Sequence, residues 1–426
     1  MQRNLERLAN GRYDLVVIGG GIHGACIAWD AALRGLSVAL LEKGDFGHAT
    51  SANTLKIIHG GLRYLQDADL GLVRLMARER TIWMRIAPHL VHPLPCVMPT
   101  SNKLARSKVV MTAALMINDL ISYDRNSILD PQKHLPNGRP ISRSECLQLL
   151  PGLNPDGVTG GAVWHDAQMH NSERLLLSFV LSGTQAGAEV ANYVEVTGFL
   201  RHGMDARGVT AKDLFTGDEL EIQADLVINS AGPWVDSVLG LLKGDFAPRF
   251  HVTTALDLVS RQILPEYGVG IPSRYTTRDR EGNLTQHSRM LFAVPWRGHS
   301  LIGTIHTPYT GTMEDYRTTD ENIDDFVDEI NVAYPGAALT RQDVSHVHWG
   351  FLPGASSDFA TNVVKLVRQS RIYDHERENC VRGLITVLGV KYTTARHAAE
   401  EVVNLACAKL DHQASPCRTH ETPIYG

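Results

Sequence analysis

Residues 13–24 read YDLVVIGGGIHG, and this stretch restricts the fold more than any other part of the chain. A continuous apolar run with a β-branched bias predicts a parallel strand buried on both faces. Gly19-x-Gly21-x-x-Gly24 follows at once, and ACIAWDAALRG (25–35) supplies a helix whose small-residue face is Ala25, Ala28, Ala31 and Ala32. LSVALLEKG (36–44) reads as a second buried strand. Strand, glycine turn, helix and strand within about 30 residues make a βαβ unit. The first glycine permits the tight turn, the second lets the backbone approach a pyrophosphate, and the third lets helix and strand pack closely. Glu42 ends the second strand, where a carboxylate accepts hydrogen bonds from a ribose and repels a 2′-phosphate. FAD or NAD is therefore expected rather than NADP.

The next segment separates these two. TSANTLKIIHGGLRYLQ (50–66) gathers hydroxyls, a lysine, a histidine, two glycines and an arginine. An NAD domain has no evident use for such a run after its second strand. In a flavoprotein the chain here passes the pyrophosphate on its way to the isoalloxazine. Thr50 and Ser51 are suited to phosphates, and Gly60 and Gly61 let the backbone run close to a ring. FAD is the expected cofactor.

The αβ pattern returns in ADLVINSAGPWV (224–235), which includes Gly232, and in ITVLGVKYTTARHAAEEVVNLA (385–406). Between these blocks the signals change. A charged helix over 70–90 is ended by Pro93 and Pro95, and residues 246–345 carry strands at 290–296 and 299–305 with an acidic helix at 318–331. The expectation is an α/β fold: a Rossmann-like FAD-binding domain with an inserted α+β substrate domain built on an antiparallel sheet. The discontinuous FAD domain takes 1–90, 151–245 and 346–426; the substrate domain takes 91–150 and 246–345. The acidic helix reads as a solvated face.

A formal net charge of −5 carries no nucleic-acid footprint. Six dispersed cysteines without a CxxC pair predict neither a zinc site nor a disulfide framework. His346 and His348 have metal-pair spacing but no visible third ligand, so no metal is expected. The N-terminus lacks a signal-peptide pattern, and VVMTAALMINDLI (109–121) is too short to span a bilayer, reading as a core or interfacial helix. A cytoplasmic location is expected, peripheral contact with the inner membrane being left open.

GGGIHGACIAWDAALRGLSVALLEKGDFGHATSANTLKIIHGGLRYLQ (19–66) resembles the N-terminus of FAD-dependent glycerol-3-phosphate dehydrogenases, within the D-amino-acid-oxidase-like flavoprotein superfamily. The resemblance continues through NSAGPWV (229–235), FAVPWRGHSLIGT (292–304), LGVKYTTAR (388–396) and CRTHETPIYG (417–426). It covers nearly the whole chain, but the C-terminal helical domain typical of the family has no counterpart in the sequence. The resemblance implies that Gly19, Gly21, Gly24 and Glu42 bind the ADP half of FAD. It places Thr50, Ser51, Lys56, His59 and Gly60 along the path from pyrophosphate to flavin, and Gly389, Lys391 and Thr393 at the pyrimidine end. Arg63, Tyr64 and Arg371 match positions facing the substrate phosphate, where guanidinium groups offer bidentate donors. His306 and His251 are candidate proton acceptors, or ordinary hydrogen-bonded histidines.

The departures fall in the substrate half. A Gly-Val-Arg-Pro run of the family appears here as Gly350-Phe351-Leu352-Pro353, and Leu352 removes one expected anion ligand. Gly-Thr-Thr-Asp appears as Gly303-Thr304-Ile305-His306, and Lys-Gly-Ser-His as Thr254-Ala255-Leu256-Asp257. The function expected is oxidation of a secondary alcohol on a small anionic substrate, resembling glycerol 3-phosphate or a modified phosphopolyol or phosphoglycerol conjugate, by hydride transfer to flavin N5. Quinone or oxygen would accept the electrons. An amine, amino-acid or hydroxy-acid oxidase and a flavin-bearing non-catalytic subunit are the alternatives.

Overall fold

The computed structural model describes residues 3–242, 246, 248–278, 284–358 and 363–426. Two sheets organise them. The first runs in the order Arg371–Asp374, Leu384–Leu388, Glu219–Asn229, Arg12–Ile18, Val38–Leu41, Glu189–Ala191. All of its neighbours are parallel except the edge strand 371–374. The N-terminal half of 219–229 instead pairs antiparallel with Asp205–Asp213, which pairs with Val194–His202.

Leu15, Val16 and Val17 are fully buried because the central strand is covered on both faces. On one face the helices Ile22–Leu33, Ser172–Gln185 and Ala395–Lys409 pack together over it. The small residues Ala25, Ala28 and Ala31 let the first of these lie close between the other two. The expected FAD-type α/β fold is the fold observed.

The second sheet has the order Val363–Leu366, Val344–Asp358, His251–Arg261, His299–Pro308, Leu284–Trp296, Gly268–Arg278, Val91–Ser101, Val158–Met169, Ile57–Ile58, with Arg139–Ile141 added on 158–169. Its sheet pairing shifts the expected boundaries. Strands 158–169, 344–358 and 363–366 lie within it, whereas the sequence pattern assigns all three to the first domain. Their apolar alternation is compatible with either sheet, and only long-range pairing distinguishes the two. The segment with Pro93, Pro95 and Pro99, which follows the helix 70–86, is itself a strand. It pairs along its length with 158–169 but meets 268–278 only through Cys96 and Val97, so its prolines forfeit few ladder bonds.

The acidic helix Asp320–Ala333 is not merely solvated. Ile323, Phe326, Val327 and Ile330 cover one face of this sheet, and the buried Glu329 accepts hydrogen bonds from Arg289 and from Ser273 Oγ (2.5 Å).

A buried ion pair ties the helix Leu70–Ile86 to the helix 395–409. Arg396 donates from Nη2 to Glu79 Oε1 at 2.5 Å and from Nε to Oε2 at 2.8 Å, with both side chains 1% exposed. Glu79→Gln removes the fully buried counter-charge and leaves Arg396 with the more exposed Glu400, whose Oε2 accepts from Nη1 at 2.9 Å. With that second carboxylate in place the substitution should cost about 3 kcal/mol, the lower end for a broken buried pair, read as a lower denaturant midpoint at unchanged m-value; an unaltered midpoint would remove the pair from the list of stabilising contacts.

Candidate active site

Between the two sheets lies a cleft of about 450 Å³, within the range of small-molecule and cofactor sites. One end is walled by Glu42, Lys43, Val194, Val196 and Leu241, the middle by Gly19, Gly21, Thr50 and Ser51, and the other end by His59, Asp257, Thr304, Leu352 and Lys391.

The glycine turn is built as its spacing predicts. Gly19 has φ +101°, and a Cβ on it would lie 2.7 Å from Ser230 O. A Cβ on Gly24 would sit 1.9 Å from Gly19 O, so only hydrogen fits between helix and strand. The helix 22–33 begins at Gly21, which has no side chain with which to cap it, and among the described residues only its first N–H, from Ile22, meets a side chain, Ser51 Oγ at 3.0 Å. A helix start of this kind, presenting backbone N–H groups to a cleft, suits a phosphate. Glu42 is buried and accepts from Gly20 N–H and Gly44 N–H, each at 2.7 Å. Gly232 lines the cleft with φ +58°, a conformation that favours glycine. His23 Nε2 is buried in the same wall without a hydrogen-bond partner among the described residues, while burial lowers the imidazole pKa to about 4. An orphaned polar atom, an uncapped helix start and a carboxylate at the strand end together fit a dinucleotide cofactor.

Other residues singled out in the sequence take different positions. Thr50 lines the cleft and donates from Oγ1 to Phe351 O at 3.0 Å, joining the two sheets. Thr393 accepts from His59 N–H at 3.1 Å and so fixes the 50–66 segment against the C-terminal block. Gly389 lies against the His23 ring, which a Cβ would approach to 2.4 Å. Gly60 is outside the cleft wall. Its N–H donates to Asp166 at 2.5 Å, and a Cβ would collide with Arg80.

Lys56 also departs from its expected position. It is fully buried, donating to Ala52 O and Ser172 Oγ at 2.6 Å and to Glu173 at 2.9 Å. Burial lowers its pKa against the pull of Glu173. It is an internal post between the 50–56 loop and the helix 172–185, not part of the cleft wall.

The cationic residues gather at the His59 end. Tyr64, itself buried, has Arg63 Cζ 5.4 Å and Lys391 Nζ 5.3 Å from its ring centroid. Lys391 donates to Arg368 O. Burial, followed by the charges of Arg63 and Arg368, brings Lys391 down to about 8. Arg63 is exposed and forms no ion pair among the described residues. His306 Nδ1 is buried without a partner among them, and burial holds the ring near pKa 4. Arg371 lies elsewhere, exposed at the start of the edge strand 371–374 and outside the cleft wall. Its position depends on which face of an edge strand is turned inward, and four residues give no readable alternation. His251 is exposed at a strand end.

Three wall residues escaped the sequence reading. Trp234 donates from Nε1 to Glu314 at 2.7 Å beneath the Lys43 ammonium, which lies 4.5 Å from its ring. His23 was hidden as an unassigned position inside the glycine motif. Asp257 was noted only as a departure. It is 3% exposed and accepts from Thr304 Oγ1 at 2.6 Å, and burial pushes its carboxyl up to about 7 against the opposing effects of Thr304 and Lys56. A lone acid inside the apolar run ALDLV was the available signal.

Among the described residues no group of three or more His, Cys, Asp or Glu is placed to hold a metal, and no helix is long and apolar enough to cross a membrane.

Residues 14–405 match the family described as FAD dependent oxidoreductase (DAO). A glycerol-3-phosphate dehydrogenase of Synechocystis sp. is 35% identical over 435 aligned residues, covering 100% of this chain and 75% of that protein. An aerobic glycerol-3-phosphate dehydrogenase of Staphylococcus haemolyticus is 31% identical, covering 99% and 72%. Among solved structures, glycerol-3-phosphate dehydrogenase from Bacillus halodurans complexed with FAD superposes with a TM-score of 0.74 at 26% identity, over 99% of this chain and 69% of that one. An L-α-glycerophosphate oxidase from Mycoplasma pneumoniae with FAD bound shares the fold, with a TM-score of 0.65 at 15% identity over 98% of this chain and 100% of that one.

Proposed function

Because this chain belongs to the family of FAD-dependent oxidoreductases, we propose that it oxidises the secondary alcohol of a small phosphate-bearing substrate resembling glycerol 3-phosphate. The observation that carries this reading is the cationic end of the cleft. Lys391 lines it and Arg63 stands beside it, and neither is neutralised by a carboxylate ion pair among the described residues. An anion brought there meets two cations and need not displace an internal acid. FAD supplies a two-electron acceptor for the carbinol hydrogen. The chain's own residues hold the dinucleotide along Gly19–Gly24, Glu42 and Thr50–Ser51, seat the phosphate against Arg63 and Lys391, and wall the reacting end with His59, Asp257, Thr304 and Leu352. Leu352 makes that wall partly apolar, which favours a substrate with a less polar group beyond its carbinol, such as a phosphoglycerol conjugate.

Two comparisons test the phosphate requirement. Glycerol should be a far poorer substrate than glycerol 3-phosphate. In addition, kcat/KM should fall as pH rises past about 8, since Lys391 loses its proton there and the ammonium is the form that attracts the anion. A kcat/KM that stays flat from pH 7 to 10 would take Lys391 out of substrate binding.

For the electron acceptor, the helix Lys108–Ile121 supports contact with an anionic lipid surface, where a quinone would be available. Val109, Met116 and Leu120 form one exposed apolar face, continued by Leu104 and Tyr123, beside Lys103, Arg106 and Lys108. Oxygen remains the other acceptor, and a cytoplasmic location fits either. Cosedimentation with phosphatidylglycerol vesicles, lost in Met116→Glu/Leu120→Glu, is the expected result; no binding to such vesicles would leave oxygen as the acceptor to test.

A further inference from the structure

We propose that Asp257 is the proton acceptor for the substrate hydroxyl, with Thr304 as the side chain that orients it; this rests on the alcohol-oxidising reading above. Sheet geometry turns Asp257 toward the cleft. In the strand 251–261, Leu256 and Leu258 belong to the apolar cluster beneath the helix 320–333. Residue 257 must therefore point the opposite way, toward the cleft, and it lines that cleft together with Ala255. The pairing of this strand with 299–308 breaks at the same place: Leu256 faces Ile305 and Leu258 faces Ile302, so Gly303 and Thr304 together oppose Asp257. Such bulges re-aim a side chain. This one brings Thr304 Oγ1 to 2.6 Å from Asp257 Oδ1. Gly303 has no room for a side chain, because a Cβ there would lie 1.7 Å from the same oxygen.

The Asp257 carboxylate also lacks compensation. Among the described residues the carboxylate accepts one hydrogen bond, from Thr304, and joins no ion pair. A buried acid without a counter-charge costs stability and is out of place as a structural element. The groups facing it are Lys56 from the loop before 57–58, His348 opposite it on 344–358, His306 beyond Thr304 on 299–308, and His59 across the cleft. Lys56 is already committed to Glu173, Ser172 and Ala52.

The histidines nearby are weaker bases. Burial depresses His59 against the raising effect of Asp166, 3.9 Å from its Nδ1, and Arg63, Lys391 and Arg80 depress it further; His306 and His348 are lowered to about 4, chiefly by burial. Asp257 moves in the opposite direction, to about 7, where a carboxylate is a competent base. In the step assigned to it, the substrate O–H bond breaks and its proton passes to the Asp257 carboxylate. The freed electron pair forms the second C–O bond, while the carbinol hydrogen leaves with its own electron pair to the family's FAD.

The test compares wild type with Asp257→Asn and Thr304→Val as holoenzymes. Yellow colour and bleaching by dithionite establish that each variant is folded and loaded. With glycerol 3-phosphate under anaerobic conditions, Asp257→Asn should reduce its flavin 10²–10⁴-fold more slowly with unchanged substrate affinity, and lose the acid limb near pH 7. Thr304→Val removes a bond that favours the ionised form, so it should move that limb to higher pH; a merely structural threonine would not. Equal rates and identical pH profiles in wild type and Asp257→Asn would overturn the assignment. A substrate-independent readout accompanies these: the infrared carboxyl band of the holoenzyme, titrated with pH. A band that ionises near neutrality and is missing in Asp257→Asn supports the assignment. A carboxyl ionised throughout pH 5–9, or protonated throughout, overturns it. Wild type that glycerol 3-phosphate fails to bleach rejects the substrate reading, and the infrared titration then decides Asp257 separately.

Discussion

Gly24→Ala is expected to yield colourless protein. The added methyl would lie 1.9 Å from the backbone oxygen of Gly19 and 2.9 Å from Ser230 Oγ. The first of these cannot rotate away, because it belongs to the turn that ends the strand 12–18. Helix 22–33 would have to move by about an ångström, since carbon–oxygen contacts below roughly 3 Å are strongly repulsive. That motion would disturb Ala25, Ala28 and Ala31 where the helix packs against 172–185 and 395–409. It would also carry the helix start away from Ser51. The cost of overpacking is typically 1–3 kcal/mol, and loss of the cofactor's own stabilisation would add to it. Absorbance at the flavin band and a thermal melt measure both effects. Yellow protein with an unchanged melting temperature would show that the close helix–strand contact is not what holds the cofactor site together.

Arg63→Ala should show the complementary behaviour: full flavin content and poor turnover. Arg63 makes no ion pair among the described residues and lies outside the cleft wall, so its loss leaves the dinucleotide contacts in place. A hydrogen bond to a charged group contributes about 1.5–3 kcal/mol. The residue is exposed, which places the expected loss toward the lower end, roughly 10–30-fold in kcat/KM. KM should carry most of it, since the cation binds ground state and transition state alike. The Lys391 pKa should rise as a nearby positive charge disappears, moving the alkaline limb upward. Loss of flavin from this variant would mean that Arg63 supports the cofactor rather than the substrate.

What the sequence made legible follows from the range of the interactions involved. The glycine turn is local: spacing alone shows which positions must lack a Cβ and that Glu42 ends the second strand, whereas the hydrogen bonds Glu42 accepts from Gly20 and Gly44 show only in the folded chain. The FAD assignment rests on such local patterns and agrees with the family match. Lys56 was harder, because its neighbour Ser172 lies more than a hundred residues away and only the folded chain shows the lysine turned inward. The sheet to which a strand belongs was hard to read for a related reason. Strand 344–358 looks like any half-buried strand until its register with 251–261 is known. Asp257 depended on another register, that of 251–261 with 299–308, where the bulge opposite it sets Thr304 against its carboxylate. The substrate half of a site assembled from distant strands is therefore the less readable half.

The central claim is that this cleft carries FAD and oxidises a glycerol-3-phosphate-like alcohol. Mixing purified yellow protein anaerobically with glycerol 3-phosphate, while following the visible flavin band, tests it most directly. Bleaching is the predicted result. A band that persists with glycerol 3-phosphate, yet disappears with dithionite, would contradict the substrate assignment while leaving the flavin in place.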